Sequence, residues 1–215
     1  MHNQIINNFL EIKKNLKDPK KEVKIIAVSK TFDISHIKPL IDHGHNHFGE
    51  NKVQEAKNKW TDLKKNKPEL KIHLVGKLQS NKVKYIMGLF DYIHSLDNLK
   101  LAYKLSEEEK KKNLKLKYFI QINIGNEIQK SGVNIQDLKE FYKECTEKLK
   151  LDVIGFMCIP PNEDDVEKYF SKMRELKNEY NLKELSMGMS SDYLNALKFD
   201  STFIRIGSKI FGERS

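Results

Sequence analysis

The chain has 215 residues, 39% hydrophobic and 32% charged, with 39 Lys and Arg against 30 Asp and Glu for a net charge of +9. Mixed-sign charge at this apolar content excludes a disordered segment or a coiled coil and describes a globular chain long enough to bury one large core. No apolar run approaches the roughly 20 residues that span a bilayer, and Met1-His2-Asn3-Gln4 lacks the basic and apolar regions of a secretory signal, so a cytoplasmic protein is expected.

Short β-like apolar runs recur along the chain, each followed by a polar stretch of helical period. A helix is expected over Asn3 to Leu16, ahead of the first strand, Val23 to Ser29. Further strands are expected at His47 to Gly49, Lys71 to Gly76, Tyr92 to Leu96, Tyr118 to Ile124, Val153 to Ile159, Leu185 to Met189 and Phe203 to Ile206. Helices fill the gaps over 33–43, 51–64, 80–89, 98–111, 134–149, 163–180 and 191–198. Several runs are almost unbroken apolar segments, as strands buried on both faces are, so the sheet should be parallel. Eight such units and no Pro/Gly/Ser-rich linker point to one α/β domain over 1–215, a single (β/α)8 TIM-type barrel with an extra N-terminal helix. An open doubly wound sheet is the alternative, but no GxGxxG follows the first strand and no GxxxxGK[ST] occurs.

Chemistry in such barrels sits where strands end and βα loops begin. Those ends carry Ser29-Lys30-Thr31, Gly49-Glu50-Asn51, His73, His94-Ser95, Asn123, Met189-Ser190-Ser191 and Arg205-Ile206-Gly207-Ser208. Lys30 closes the apolar run Ile25-Ile26-Ala27-Val28. A partly dry setting there would lower its pKa and make the neutral amine a nucleophile toward an aldehyde, of a substrate or of pyridoxal 5'-phosphate (PLP). The bland alternative is a lysine emerging into solvent. Ser190-Ser191-Asp192 and Gly207-Ser208 offer N–H groups and hydroxyls that suit a phosphate, or simply a helix cap and a turn. Arg205 lies inside an apolar strand and needs a partner, an acidic residue or a ligand's phosphate or ring nitrogen.

Metal and nucleic-acid readings are weaker. His36, His43, His45 and His47 cluster, but no cysteine or carboxylate completes a ligand set, and solvated loop histidines are expected. His73 and His94 lie within strands, facing a bound ring or filling the core. Cys145 and Cys158 share no CxxC spacing and read as reduced packing residues. Of the 39 basic residues only Arg174, Arg205 and Arg214 are arginine; the lysines are spread as solvated faces, so no specific nucleic-acid partner is expected.

At these residues the sequence resembles the pyridoxal phosphate homeostasis proteins, the YggS/PROSC-type members of the alanine-racemase-like, fold-type III barrels. The resemblance rests on Ala27-Val28-Ser29-Lys30-Thr31, Phe48-Gly49-Glu50-Asn51 with Gln54-Glu55, and His73-Leu74-Val75-Gly76 through Leu78-Gln79-Ser80-Asn81-Lys82. It continues with Gln121-Ile122-Asn123, Lys130-Ser131-Gly132, Gly155-Phe156-Met157, Leu185-Ser186-Met187-Gly188-Met189-Ser190 and Arg205-Ile206-Gly207-Ser208 through Gly212. It implies that Lys30 holds PLP as a Schiff base, that Ser190, Gly207 and Ser208 contact the phosphate, and that Arg205 lies near the pyridine nitrogen. It also implies that Asn51, His73 and Met189 line the pocket. Departures at Lys77, Ile128, Gln129, Lys130 and Ser208 remove no group the cofactor needs.

The family is known for regulating PLP supply rather than for turnover, and two agreements are expected here. The barrel should lack the racemases' second domain and its tyrosine, and two-base racemisation needs an acid and a base on both sides of the substrate carbon, where Lys30 supplies one. The expected function is therefore a monomeric PLP carrier or regulator with no catalytic residue, its partners PLP and PLP-dependent apo-enzymes. A weak amino-acid racemase is the enzyme alternative, and a basic nucleic-acid-binding module is the remaining class.

Overall fold

The computed structural model describes residues 2–16, 22–127, 129–162 and 165–213; Ile128, Arg214 and the start of the helix expected from 163 lie outside the described residues. Eight strands pair in parallel, each with its sequence neighbour, and the last closes onto the first. They are β1 (Lys24–Val28), β2 (His47–Glu50), β3 (Lys71–Leu74), β4 (Tyr92–Leu96), β5 (Lys117–Ile122), β6 (Asp152–Cys158), β7 (Glu184–Ser186) and β8 (Phe203–Ile206). The expected (β/α)8 barrel is the observed architecture.

The helices are α1 (His2–Lys14), α2 (Ile34–Asp42), α3 (Val53–Asn66), α4 (Leu99–Lys112), α5 (Leu138–Lys143), α6 (Glu167–Glu179), α7 (Tyr193–Lys198) and α8 (Ser208–Phe211). Local chemistry sets several ends. Asp33 accepts the His36 N–H at 2.9 Å ahead of α2, and Asn98 accepts that of Leu101 at 2.9 Å ahead of α4. Asn113, left-handed at φ 51°, ends α4. Two expected helices are corrected. The stretch 80–89 forms only a 3-10 segment, Ser80–Tyr85, within which Val83 alone is buried, too little apolar burial to carry a longer helix. The stretch 134–149 breaks into a 3-10 turn, α5 and a π-helical turn over Glu144–Lys148.

Side chains alternate along each strand between the barrel interior and the shell under the helices. Ile25 and Ala27 join the outer core with Phe48 and Trp60, whereas Ile26 and Val28 meet Phe119, Met157 and Phe203 inside. The same alternation on β8 sends Arg205 to the side of Phe203 and leaves Ile204 and Ile206 outside. Register brings the chain's two ends together: Ile26 pairs with Arg205 and Ala27 with Ile206.

Candidate functional site

Above the inner apolar layer, at the C-terminal ends of the strands, lies a cleft of about 630 Å³. Lys30 and Phe32 line it beyond β1, Asn51 beyond β2, Val75 beyond β3, Ile159 beyond β6 and Met189, Ser190 and Ser191 beyond β7. Arg205, Gly207 and Ser208 line the wall formed by β8 and its loop. Of the eight residues the resemblance assigns to the site, seven line this cleft and His73 does not; His94 and Asn123, also noted at strand ends, do not line it either. Phe32 and Val75 had given no signal of their own; Phe32 belongs here because the ring of Phe211, after β8, packs against it at 5.3 Å.

Arg205 is 5% exposed. Its Nη1 donates to the carbonyl and the hydroxyl of Ser186, both at 2.7 Å, and Nη2 donates to the Cys158 carbonyl at 2.8 Å. Of the two kinds of partner expected, an acidic residue is not the one found: among the described residues its partners are neutral oxygens. Burial pulls the guanidinium below its ordinary pKa, and Asp192 opposes this through space without contact. A buried cation so paired leaves a positive potential that favours an anionic ligand.

His73 does not line the cleft. It is fully buried one layer down, stacked on Tyr92 at 4.3 Å, and belongs to a chain of rings through the barrel. His47 Nδ1 lies 2.8 Å from His73 Nε2, His73 Nδ1 lies 2.9 Å from His94 Nε2, and His94 Nδ1 lies 2.8 Å from Ser186 Oγ. Burial holds His73 and His94 well below the ordinary histidine pKa and lowers His47 to about 4. The placement fails because local sequence gives a side chain's face of the strand but not its depth in the barrel.

The expectation of solvated histidines holds for His43 alone. His45 packs against Phe9 at 4.8 Å and Phe48 at 5.2 Å, its pKa lowered by burial to about 4, and His36 stacks on Phe32 at 4.6 Å. No group of three or more His, Cys, Asp or Glu side chains able to hold a metal occurs among the described residues. No helix among them is long and apolar enough to cross a membrane.

The loop after β7 is organised by Asp192, whose carboxylate accepts the Met189 N–H at 2.6 Å. Neither Ser190 nor Ser191 caps α7, and their backbone N–H groups and hydroxyls are engaged by no group among the described residues. They are open to solvent or to a ligand, and hydroxyls beside N–H groups have the chemistry that fits phosphate oxygens. Gly188, at φ +93°, makes the turn into this loop, and a Cβ there would stand 2.8 Å from Ala196 Cβ. Across the cleft, a Cβ on Gly76 would stand 2.4 Å from the Asn51 carbonyl oxygen. Glycine lets the loop after β3 lie directly against Asn51.

Behind Lys30, Glu50 is fully buried, and its Oε1 accepts from Ser29 Oγ at 2.8 Å, Lys59 Nζ at 2.9 Å and Trp60 Nε1 at 2.9 Å. Burial pushes this carboxyl's pKa up against the pull of Lys59. Lys59 had no motif to mark it and looks in sequence like one more helix-surface lysine.

The family model "Alanine racemase, N-terminal domain" matches residues 2–215. The chain is 41% identical over 200 residues to the pyridoxal phosphate homeostasis protein of Aquifex aeolicus, covering 89% of this chain and 87% of that protein. It is 37% identical over 202 residues to the protein of that name from Escherichia coli K12, covering 90% and 86%. Among solved structures, PipY of Synechococcus elongatus PCC7942 with PLP bound superposes with a TM-score of 0.87 at 33% identity, over 97% of this chain and all of that one. The alanine racemase of Clostridium difficile 630 shares the fold, with a TM-score of 0.78 at 17% identity, over 99% of this chain and 57% of the racemase. With the barrel, the lysine at the end of β1 and the arginine on β8 in place, the chain belongs to the alanine racemase N-terminal domain family, among its pyridoxal phosphate homeostasis proteins.

Proposed function

We propose that this chain binds PLP through Lys30 and acts in PLP homeostasis as a carrier or regulator, the whole of 1–215 serving as one binding unit. When bound, PLP supplies an aldehyde that condenses with a primary amine. The observation that carries the reading is the convergence of Lys30, buried Arg205 and the unengaged Ser190–Ser191 rim on one cleft. Lys30 offers the amine, and Ser190, Ser191, Gly207 and Ser208 hold the phosphate. Asn51 and Met189 flank the ring. Arg205, donor-only and cationic, would disfavour protonation of a pyridine nitrogen held beside it, which would weaken the ring as an electron sink.

Holding rather than turnover suits the rest of the lining. No tyrosine or histidine is among the described residues that line the cleft, and their one carboxylate, Glu213, is exposed, which supports holding over two-base turnover. We place the protein in the cytoplasm as a monomer that hands PLP to apo-enzymes.

The test is borohydride reduction of the PLP-loaded protein followed by peptide mass analysis. A phosphopyridoxyl group on the Lys30 peptide is expected. Cofactor-saturated protein without a Lys30 adduct would overturn the reading, and steady turnover of an amino acid that is lost on Lys30→Ala would replace the carrier with an enzyme.

A further inference from the structure

Thr31, directly after the cleft lysine, has φ +72°. A β-branched residue rarely occupies the left-handed region, because its Cβ crowds the backbone there, and such residues persist only where their surroundings over-determine them. Thr31 is exposed, so packing does not force this conformation. What surrounds the turn is a set of polar contacts from α3. Glu55 Oε1 accepts the Thr31 N–H, and Lys59 Nζ donates to the Ser29 carbonyl at 2.8 Å. Lys59 also donates to Glu55 Oε1 at 3.2 Å and to Glu50 Oε1 at 2.9 Å. Ser29 is fixed from its other side, its N–H donating to the Gly49 carbonyl at 2.9 Å and its hydroxyl to Glu50. The residues before and after Lys30 are thus both tied to one helix.

We propose that Glu55 and Lys59 are positioning residues for Lys30, clamping Ser29 and Thr31 so that a turn the sequence disfavours aims the Lys30 side chain into the cleft. The proposal rests on Lys30 being the amine that captures PLP. Forming that bond joins Nζ to the aldehyde carbon and releases water, and borohydride then reduces the C=N bond to a stable secondary amine. A lysine whose backbone turn relaxes to negative φ points its amine elsewhere, and capture weakens although no group touching the cofactor has changed. Glycine adopts positive φ without strain, so a glycine at position 31 keeps the turn with less help from α3.

The experiment measures PLP capture as a function of PLP concentration, by borohydride trapping on the Lys30 peptide, for wild type, Glu55→Gln, Glu55→Ala, Thr31→Gly and the double variant Glu55→Ala/Thr31→Gly. Thermal unfolding without PLP serves as the folding control. Glu55→Ala should need about tenfold more PLP for half capture. Glu55→Gln, which keeps an oxygen acceptor, should stay within about threefold of wild type, and Thr31→Gly should return the Glu55→Ala variant most of the way. Glu55→Ala capturing like wild type would overturn the clamp, and so would a loss that glycine at 31 does not repair. Wild-type protein untrapped at Lys30 would overturn the PLP reading itself, and the clamp with it.

Discussion

Ser186 Oγ stands between Arg205 and His94, 2.7 Å from the guanidinium Nη1 and 2.8 Å from the imidazole Nδ1. A guanidinium only donates, so the hydroxyl accepts from Arg205, and with no other acceptor in reach among the described residues its own hydrogen is donated to His94 Nδ1. Neutral His94 then carries its hydrogen on Nε2 and donates to His73 Nδ1; His73 by the same logic donates from Nε2 to His47 Nδ1. One arginine in the cleft thereby sets the polarity of every ring down the barrel.

The first prediction is a set of tautomers. In ¹⁵N-labelled protein at neutral pH, two-bond imidazole correlations should show His47, His73 and His94 all as the Nε2–H form. A hydrogen on Nδ1 of His94 would break the chain at its first link. Ser186→Ala, which removes the only hydroxyl in the series, should shift the His94 resonances most and those of His47 least.

The second concerns acid. Burial lowers His45 and His47 to about 4 and holds His73 and His94 well below their ordinary value, whereas in the unfolded chain all four titrate near 6.5. The unfolded state therefore binds protons that the folded state refuses. Stability is fully present above about pH 6.5 and is lost as pH falls toward 4, at up to about 1.4 kcal/mol per pH unit for each histidine. Glu50, raised by burial, acts in the opposite sense and flattens the slope without reversing it. Urea midpoints at pH 7, 6, 5 and 4.5 check this, and a flat profile would sink it.

Gly76→Ala tests the contact between the loops after β2 and β3. The added methyl would meet the Asn51 backbone, its carbonyl oxygen at 2.4 Å and its Cα at 2.7 Å, so Asn51 must move. The expected cost is about 1–3 kcal/mol in urea unfolding, with weaker PLP capture by the folded protein. Unchanged unfolding and capture would mean that the loops part freely.

The cysteines should be silent. Cys145 and Cys158 are fully buried, and burial pushes both thiols up to about 12. Neither should react with a disulfide reagent in native protein at neutral pH, and both should react in denaturant. Rapid native labelling of either would contradict this burial.

Much of the architecture was legible because strand periodicity is local. Tyr92–Leu96 and Phe203–Ile206 are bounded by their own sequence, and alternation along β8 already separates Phe203 and Arg205 from Ile204 and Ile206. Depth was not legible. Whether an inward residue reaches the cleft or the layer beneath depends on the stagger of eight strands, which put His73 out of reach and placed Ser186, 92 positions from His94 in sequence, beside it. Lys59 was hidden for another reason. Its value lies in what the Ser29 carbonyl and two carboxylates need, and in a chain this rich in lysine nothing on α3 itself distinguishes it.

The pairing of β1 with β8 has a consequence for biosynthesis. Lys30 emerges from the ribosome well before Arg205, and the cleft wall they share exists only once Ile26 has found Arg205 in the closed sheet. A nascent chain lacking its final strand presents the amine without the guanidinium or the Gly207–Ser208 rim. Ligand retention in this cleft is therefore a property of the closed barrel, which no run of its earlier strands can supply alone.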